Sequence, residues 1–123
     1  MKYFWLDDYL LKKAGVTKDF KIEWNWTRYL LDDKMFAALC KDAEGKDVLI
    51  TLKLEPVEGA FLREQYSDII PGYYMNKDHW NSIKADGNIP DDLLKELLDK
   101  SYWLVFEKLT KKKQKELLEK NQG

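Results

Sequence analysis

Hydrophobic positions change their spacing several times along this chain, and each change marks a different element. Over residues 2–14, Tyr3, Leu6, Leu10 and Ala14 fall at helical intervals, flanked by Trp5 and Tyr9, and Gly15 follows as a stop. That spacing predicts an amphipathic helix. From Lys21 the period shortens: Ile22, Trp24 and Trp26 alternate with Glu23 and Asn25, and the run continues through Tyr29 to Leu31. Such alternation predicts a strand with one face buried, Trp24 and Trp26 side by side upon it as core. Asp32-Asp33 separates this run from a second strand over 35–40, so the two read as a hairpin. A polar turn over 42–47, containing Gly45, precedes a third strand over 48–54, where Ile50 and Thr51 supply β-branched residues.

Pro56 suits the first position of a short helix, since its missing N–H costs nothing there, and that helix should end before Pro71. Residues 73–75 and 80–83 read as two short strand segments around Asn76-Lys77-Asp78, and Asp86-Gly87-Asn88 is a turn. After Pro90, Asp91 and Asp92 favour a helix start, and Leu93, Leu94, Leu97 and Leu98 supply its buried stripe. Ser101 reads as a cap or kink before a second buried helix over 103–109. Thr110 is placed to cap a last helix carrying Lys111 to Lys113 and Leu117-Leu118. Consecutive strands joined by short polar turns predict an antiparallel meander packed against helices, an α+β fold. One domain over 1–120, with a short disordered tail at 121–123, accounts for the chain.

Charge and composition narrow the function classes. Twenty-one Lys and Arg against 22 Asp and Glu leave a formal charge of −1, so a polyanion would have to be held by a local patch rather than by the whole molecule. The basic residues concentrate late, at Lys108, Lys111 to Lys113 and Lys115. The single cysteine, Cys40, lies in an apolar run and reads as a small buried hydrophobe, which leaves no disulfide framework and no Cys-rich zinc site. Asp7 and Asp8 interrupt the N-terminal segment before a signal sequence can form, and no run approaches the roughly 20 apolar residues that span a bilayer. A soluble, cytoplasmic monomer is the expectation.

Reaction signatures are missing. The six glycines are too scattered for a dinucleotide or phosphate loop, one histidine cannot build a His-rich metal site, and Ser67, Ser82 and Ser101 have no nucleophile-elbow context. Asp7-Asp8 and Asp91-Asp92 read as helix-end residues rather than acid–base pairs. A non-enzymatic protein without a cofactor is expected.

The densest chemistry lies in residues 70–81, IPGYYMNKDHWN, where a Pro-Gly step, three aromatics and the only histidine crowd together. Around it stand Trp-x-Trp with Arg28-Tyr29, Lys34-Met35-Phe36-Ala37, Leu52-Lys53, Arg63-Glu64 with Tyr66, His79-Trp80-Asn81-Ser82, Pro90 with Leu93-Leu94, and Ser101-Tyr102. In that order these residues closely resemble the MmcQ/YjbR family, over nearly the whole chain. The resemblance implies a small bacterial protein with a frataxin-like (CyaY-like) two-layer α+β fold, commonly labelled DNA-binding and without an established catalytic set. Tyr74 stands where the family often shows His after Pro-Gly-Tyr, and the stretch past Lys113 is longer than usual. Iron chemistry does not follow from a frataxin-like fold, because function belongs to residues.

Two expectations follow for the block. As a contact to double-stranded DNA of low sequence specificity, Lys77 would reach phosphate, Asn76 and Asn81 would donate amide hydrogen bonds, His79 would donate to phosphate, and Trp80 or Tyr73 would pack on sugar or base. Lys34, Arg63 and Lys84 would widen the patch if the fold brings them alongside. Alternatively the aromatic block is the apolar floor of a site for a protein partner or a small ligand. Each residue also has a structural role open to it: Trp80, Tyr73 and Met75 in the core, His79 holding a hairpin, Arg63 with Glu64 as a polar pair, and Lys111 to Lys113 as a solvated helix face.

Overall fold

Ten elements follow one another in a computed structural model of the chain, which describes residues 1–72 and 76–122, with side chains as far as Glu119. They are α1 (Leu6–Leu11), β1 (Val16–Lys21), β2 (Trp26–Leu31), β3 (Lys34–Lys41), β4 (Asp47–Lys53), α2 (Pro56–Gln65), β5 (Ile69–Pro71), β6 (Trp80–Lys84), α3 (Asp91–Phe106) and α4 (Lys111–Gln122). The strands form one antiparallel sheet in the order β1-β2-β3-β4-β6-β5. This is the α+β architecture expected from the strand and turn pattern. No described helix is long and apolar enough to cross a membrane.

Strand alternation sorts side chains onto two faces. Tyr29, Leu31, Ala37, Leu39, Ile50, Leu52 and Ile83 point to one side, where they share a core with Leu6 and Leu10 of α1, Leu62 of α2, Leu94, Leu97, Leu98 and Tyr102 of α3, and Leu117 of α4. Trp26, Ala38 and Cys40, with Met35 and Leu49 against them, form a separate small cluster on the opposite face. All helical core partners lie on the first face, so the second is open.

Several expectations are corrected. The alternating run is strand only from Trp26 onward: residues 22–25 turn the chain between β1 and β2, Asn25 adopts a left-handed φ of 58°, and Ile22 is 80% exposed. The strand that precedes the turn, β1, escaped notice because VTKDFK holds only two apolar residues; as an edge strand it needs no apolar face of its own. Among the described residues β6 pairs with β4 and β5; the strand segment expected over 73–75 lies outside them. The division expected at Ser101 is also absent, since α3 continues through it to Phe106. Helix α1 is shorter than the 2–14 spacing implied, and α4 extends through Gln122 over residues expected as a tail.

The hairpin at Asp32-Asp33 matches expectation in detail. Both residues have positive φ, 50° and 62°, the conformation of a two-residue turn whose twist suits a hairpin. Beyond it the β2–β3 register shifts, with Tyr29 opposite Ala37 and Leu30 opposite Met35. Phe36 is therefore the extra residue of a bulge. The bulge lets Phe36 join the helix-side core, where its ring meets that of Tyr102 edge-on at 5.6 Å.

Candidate ligand groove on the open sheet face

The open face carries a groove of 610 Å³ whose lining includes Trp24, Trp26, Cys40, Leu49, Thr51 and Ser82. Its wall is built by the turn between β1 and β2. Asn25, in its left-handed conformation, accepts the Lys41 N–H on its carbonyl at 3.1 Å and donates its side-chain amide to the Asp42 carbonyl at 2.8 Å. These bonds tie the β1–β2 turn to the β3–β4 turn. Trp24 is thereby set beside Trp26, their rings T-shaped at 5.3 Å, and remains 48% exposed while Trp26 is buried. The Lys21 ammonium and the Arg28 guanidinium lie 5.4 and 5.9 Å from the Trp24 ring centroid, an arrangement that favours a fixed indole.

The floor is a row of polar side chains crossing three strands. Cys40 Sγ stands 3.3 Å from Thr51 Oγ1, which stands 2.9 Å from Ser82 Oγ. The register explains the row: Thr51 is directly opposite Ser82, and Cys40 is opposite Leu49, two residues along β4 from Thr51. Burial pushes the Cys40 thiol up to about 11, with the Asp47 charge adding to the rise and the Thr51 hydrogen bond opposing it. It is a neutral, buried thiol at ordinary pH.

Cations around the groove are paired. Arg28 donates to both carboxylate oxygens of Asp19, at 2.8 and 2.5 Å, Lys41 meets Asp47 at 2.6 Å, and Lys21 lies 3.9 Å from Glu23. The Arg28 hydrogen bond is the chief cause holding the partly exposed Asp19 carboxyl below the usual range. The charge of this rim is balanced by design of the register, since Arg28 and Asp19 face each other across β1 and β2.

The residues expected to make one patch are divided by the fold. Asn81 is fully buried on the helix side; it accepts a hydrogen bond from Arg63 Nη1 and donates to the His79 carbonyl at 3.2 Å. Both are committed to the interior beneath Gly59 of α2, where an added Cβ would meet Asn81 and Arg63 at 3.1 to 3.2 Å. The polar partner of Arg63 is thus Asn81, where Glu64 was expected. Asn76 uses its side-chain oxygen to accept the Asp78 N–H at 3.0 Å, and its carbonyl takes the N–H groups of His79 and Trp80, so it builds the turn into β6. His79 holds that turn against β4 through its carbonyl, which accepts the Leu54 N–H at 2.8 Å.

Trp80 is half-buried at the start of β6, and Lys84 is exposed at its end, roughly 13 Å away at strand rise. Lys34 begins β3 at the Trp80 end of the sheet, as the pairings of Ala37 with Leu52 and of Lys53 with Trp80 require. Lys34 and Lys77 therefore share an end that Lys84 does not reach. Tyr73 lies outside the described residues. At the same end, and unforeseen, the Lys53 ammonium has a lowered pKa, first through partial burial and then through the neighbouring Lys108.

Cys40, Thr51 and Ser82 were also missed as a group. Their signal was present, because each is polar or small at a position alternating with core residues of a central strand, but it required the register between β4 and β6. Among the described residues no group of three His, Cys, Asp or Glu side chains is placed to hold a metal ion.

The YjbR family profile matches residues 11–104. The chain belongs to the YjbR family. Escherichia coli K12 YjbR is 32% identical over 111 residues, covering 90% of this chain and 92% of that protein. The crystal structure of Deinococcus radiodurans protein DR2400, with its DUF419 domain, superimposes with a TM-score of 0.79 at 32% identity, over 91% of this chain and 84% of that one. A Pseudomonas syringae crystal structure gives 0.69 at 28% identity, over 85% and 98%. The YjbR match contains every residue that lines the groove and stops before α4.

Proposed function

We propose that this protein is a binding domain that takes a small, neutral, flat-bodied ligand in the groove on its open sheet face. The observation that carries the reading is the groove itself, 610 Å³ with a tryptophan pair for a wall and a polar row for a floor. Small-molecule sites share this make-up, about 300–1,000 Å³ with mostly apolar lining and a few convergent polar groups. The paired cations of the rim favour a neutral ligand, because an anion would have to displace Asp19 or Asp47 from its partner. The experiment is a fragment screen by nitrogen–proton correlation spectra, in which the indole N–H signals of Trp24 and Trp26 report occupancy. Flat apolar fragments should move both signals in the native protein and neither after Leu49→Arg. A screen in which no fragment moves them removes the reading.

A second reading is binding of double-stranded DNA through its phosphates at the Lys34 end of the sheet. Lys53 favours it: its ammonium stands beside that of Lys108, a like-charge contact that a phosphate would relieve. The frataxin-like arrangement implied by the sequence resemblance belongs to this reading too. Random-sequence duplex titrated by fluorescence anisotropy at about 50 and about 200 mM salt tests it. Binding should weaken steeply with salt and with Lys53→Ala, alike on unrelated sequences; no binding at the lower salt removes it.

A further inference from the structure

We infer that the occupant of the groove is a nitrogen heterocycle with a hydrogen-bond acceptor and donor side by side on one edge, and that Ser82 is the residue that reads this edge. The inference rests on the groove reading above and narrows its ligand class.

The row Cys40–Thr51–Ser82 contains three X–H groups but only two contacts, 3.3 and 2.9 Å. One X–H is therefore left to point out of the row. Either atom can donate in each contact; a chain running one way strengthens each bond. With Cys40 donating to Thr51 and Thr51 donating to Ser82, the hydroxyl oxygens accept in preference to the weaker thiol sulfur. The Ser82 O–H then points beyond the row, and its oxygen keeps one lone pair. Among the described residues Thr51 is the only side chain hydrogen-bonded to Ser82, although Ser82 is only 5% exposed and lines the groove.

An occupant that covers Ser82 replaces the water available to that hydroxyl. A purely apolar body would strand a donor and a lone pair, whereas an edge with an acceptor beside a donor satisfies both. The rest of the groove limits the body that bears this edge. Trp24 and Trp26 offer ring surface suited to a flat aromatic system, and the paired rim leaves no cation for a charged head. The Cys40 thiol, neutral and buried, offers softness and shape rather than reactivity.

Two probes of similar size separate the parts of this inference: azaindole, with its pyridine-type nitrogen adjacent to the N–H, and N-methylindole, whose donor is capped. Each is titrated into the full chain while the Trp24 and Trp26 indole N–H signals are followed. Azaindole supplies both the acceptor and the donor that N-methylindole lacks, so it should bind at least about tenfold more tightly. Ser82→Ala should bring the ratio close to unity, with N-methylindole gaining affinity because no hydroxyl is then stranded beneath it. Ser82→Cys, which keeps the volume and only a weak donor, should also lower the ratio and serves if the alanine variant fails to fold. Equal affinities in the native protein, or a ratio that survives both substitutions, would overturn the role of Ser82 while leaving the groove standing. Failure of both probes to move the tryptophan signals would overturn the groove reading and this inference together.

Discussion

Ser101 completes the sheet from outside it: its hydroxyl accepts the Lys53 N–H at 2.8 Å and donates to the Phe36 carbonyl at 2.5 Å. A side chain of α3 thus replaces a strand-to-strand bond at the place where the Phe36 bulge opens the ladder. Ser101→Ala leaves a buried N–H and a buried carbonyl unpaired, at a cost of about 1–3 kcal/mol. Urea unfolding should show a lowered midpoint with an unchanged slope; an unchanged midpoint would mean that water takes the place of the hydroxyl.

Asn81 and Arg63 should act on stability and not on recognition. Asn81→Ala removes a fully buried amide that serves both Arg63 and the His79 carbonyl, and about 1–3 kcal/mol of stability should go with it. Arg63→Ala should lower the thermal midpoint yet leave the affinity of the folded protein for duplex DNA or for aromatic probes as it was. A specific loss of DNA affinity in folded Arg63→Ala would return Arg63 to the surface patch expected from the sequence.

Cys40 sets a limit on stability at alkaline pH. Its folded-state pKa is raised to about 11, chiefly by burial, so the unfolded chain releases this proton first. The stabilisation is complete below the unfolded thiol value, near 8.5, and is lost as pH rises towards 11. Denaturant unfolding at a series of pH values should show the decline, and Cys40→Ala should flatten that part of the profile. Disulfide-exchange reagents should modify Cys40 slowly in the folded protein and rapidly once urea is added.

Gly15 is required both by conformation and by space. Its φ is +76°, and a Cβ there would lie 2.4 Å from Leu117 Cδ2. Gly15→Ala should destabilise the fold by about 1–2 kcal/mol through backbone strain alone, with displacement of α4 adding to it. In a double-mutant cycle the glycine substitution should cost less in a Leu117→Ala background. Additive effects would show that α4 moves aside freely.

How much of this was legible in the sequence depended on whether a residue's role was local. The Asp32-Asp33 hairpin, the Pro56 helix start and the Thr110 cap, whose hydroxyl accepts the Lys113 N–H at 3.1 Å, are set by a few neighbouring residues. Their backbone preferences act at short range, so the pattern showed them. Trp24 misled, while Trp26 is buried in β2 as expected, because alternation over a few residues arises in a turn as readily as in a strand when the pairing strand is unknown. Ser101 misled because a serine in a helical run has a familiar role at helix ends, and only the bulge at Phe36 created the need it meets instead.

Sequence by itself determined the family, the α+β class and the location of most elements, since these follow from hydrophobic period, turn chemistry and motif order. It also marked residues 70–81 as unusual. Tertiary structure decided where the described residues in and just after that block lie. Asn81 went to the core with Arg63, Lys84 to the far end of β6, and Ser82 to a row with Thr51 and Cys40, because strand pairing and alternation place neighbours in sequence on opposite faces. The groove exists only through that pairing: its wall comes from one turn and its floor from three strands, brought together by contacts far apart in the chain.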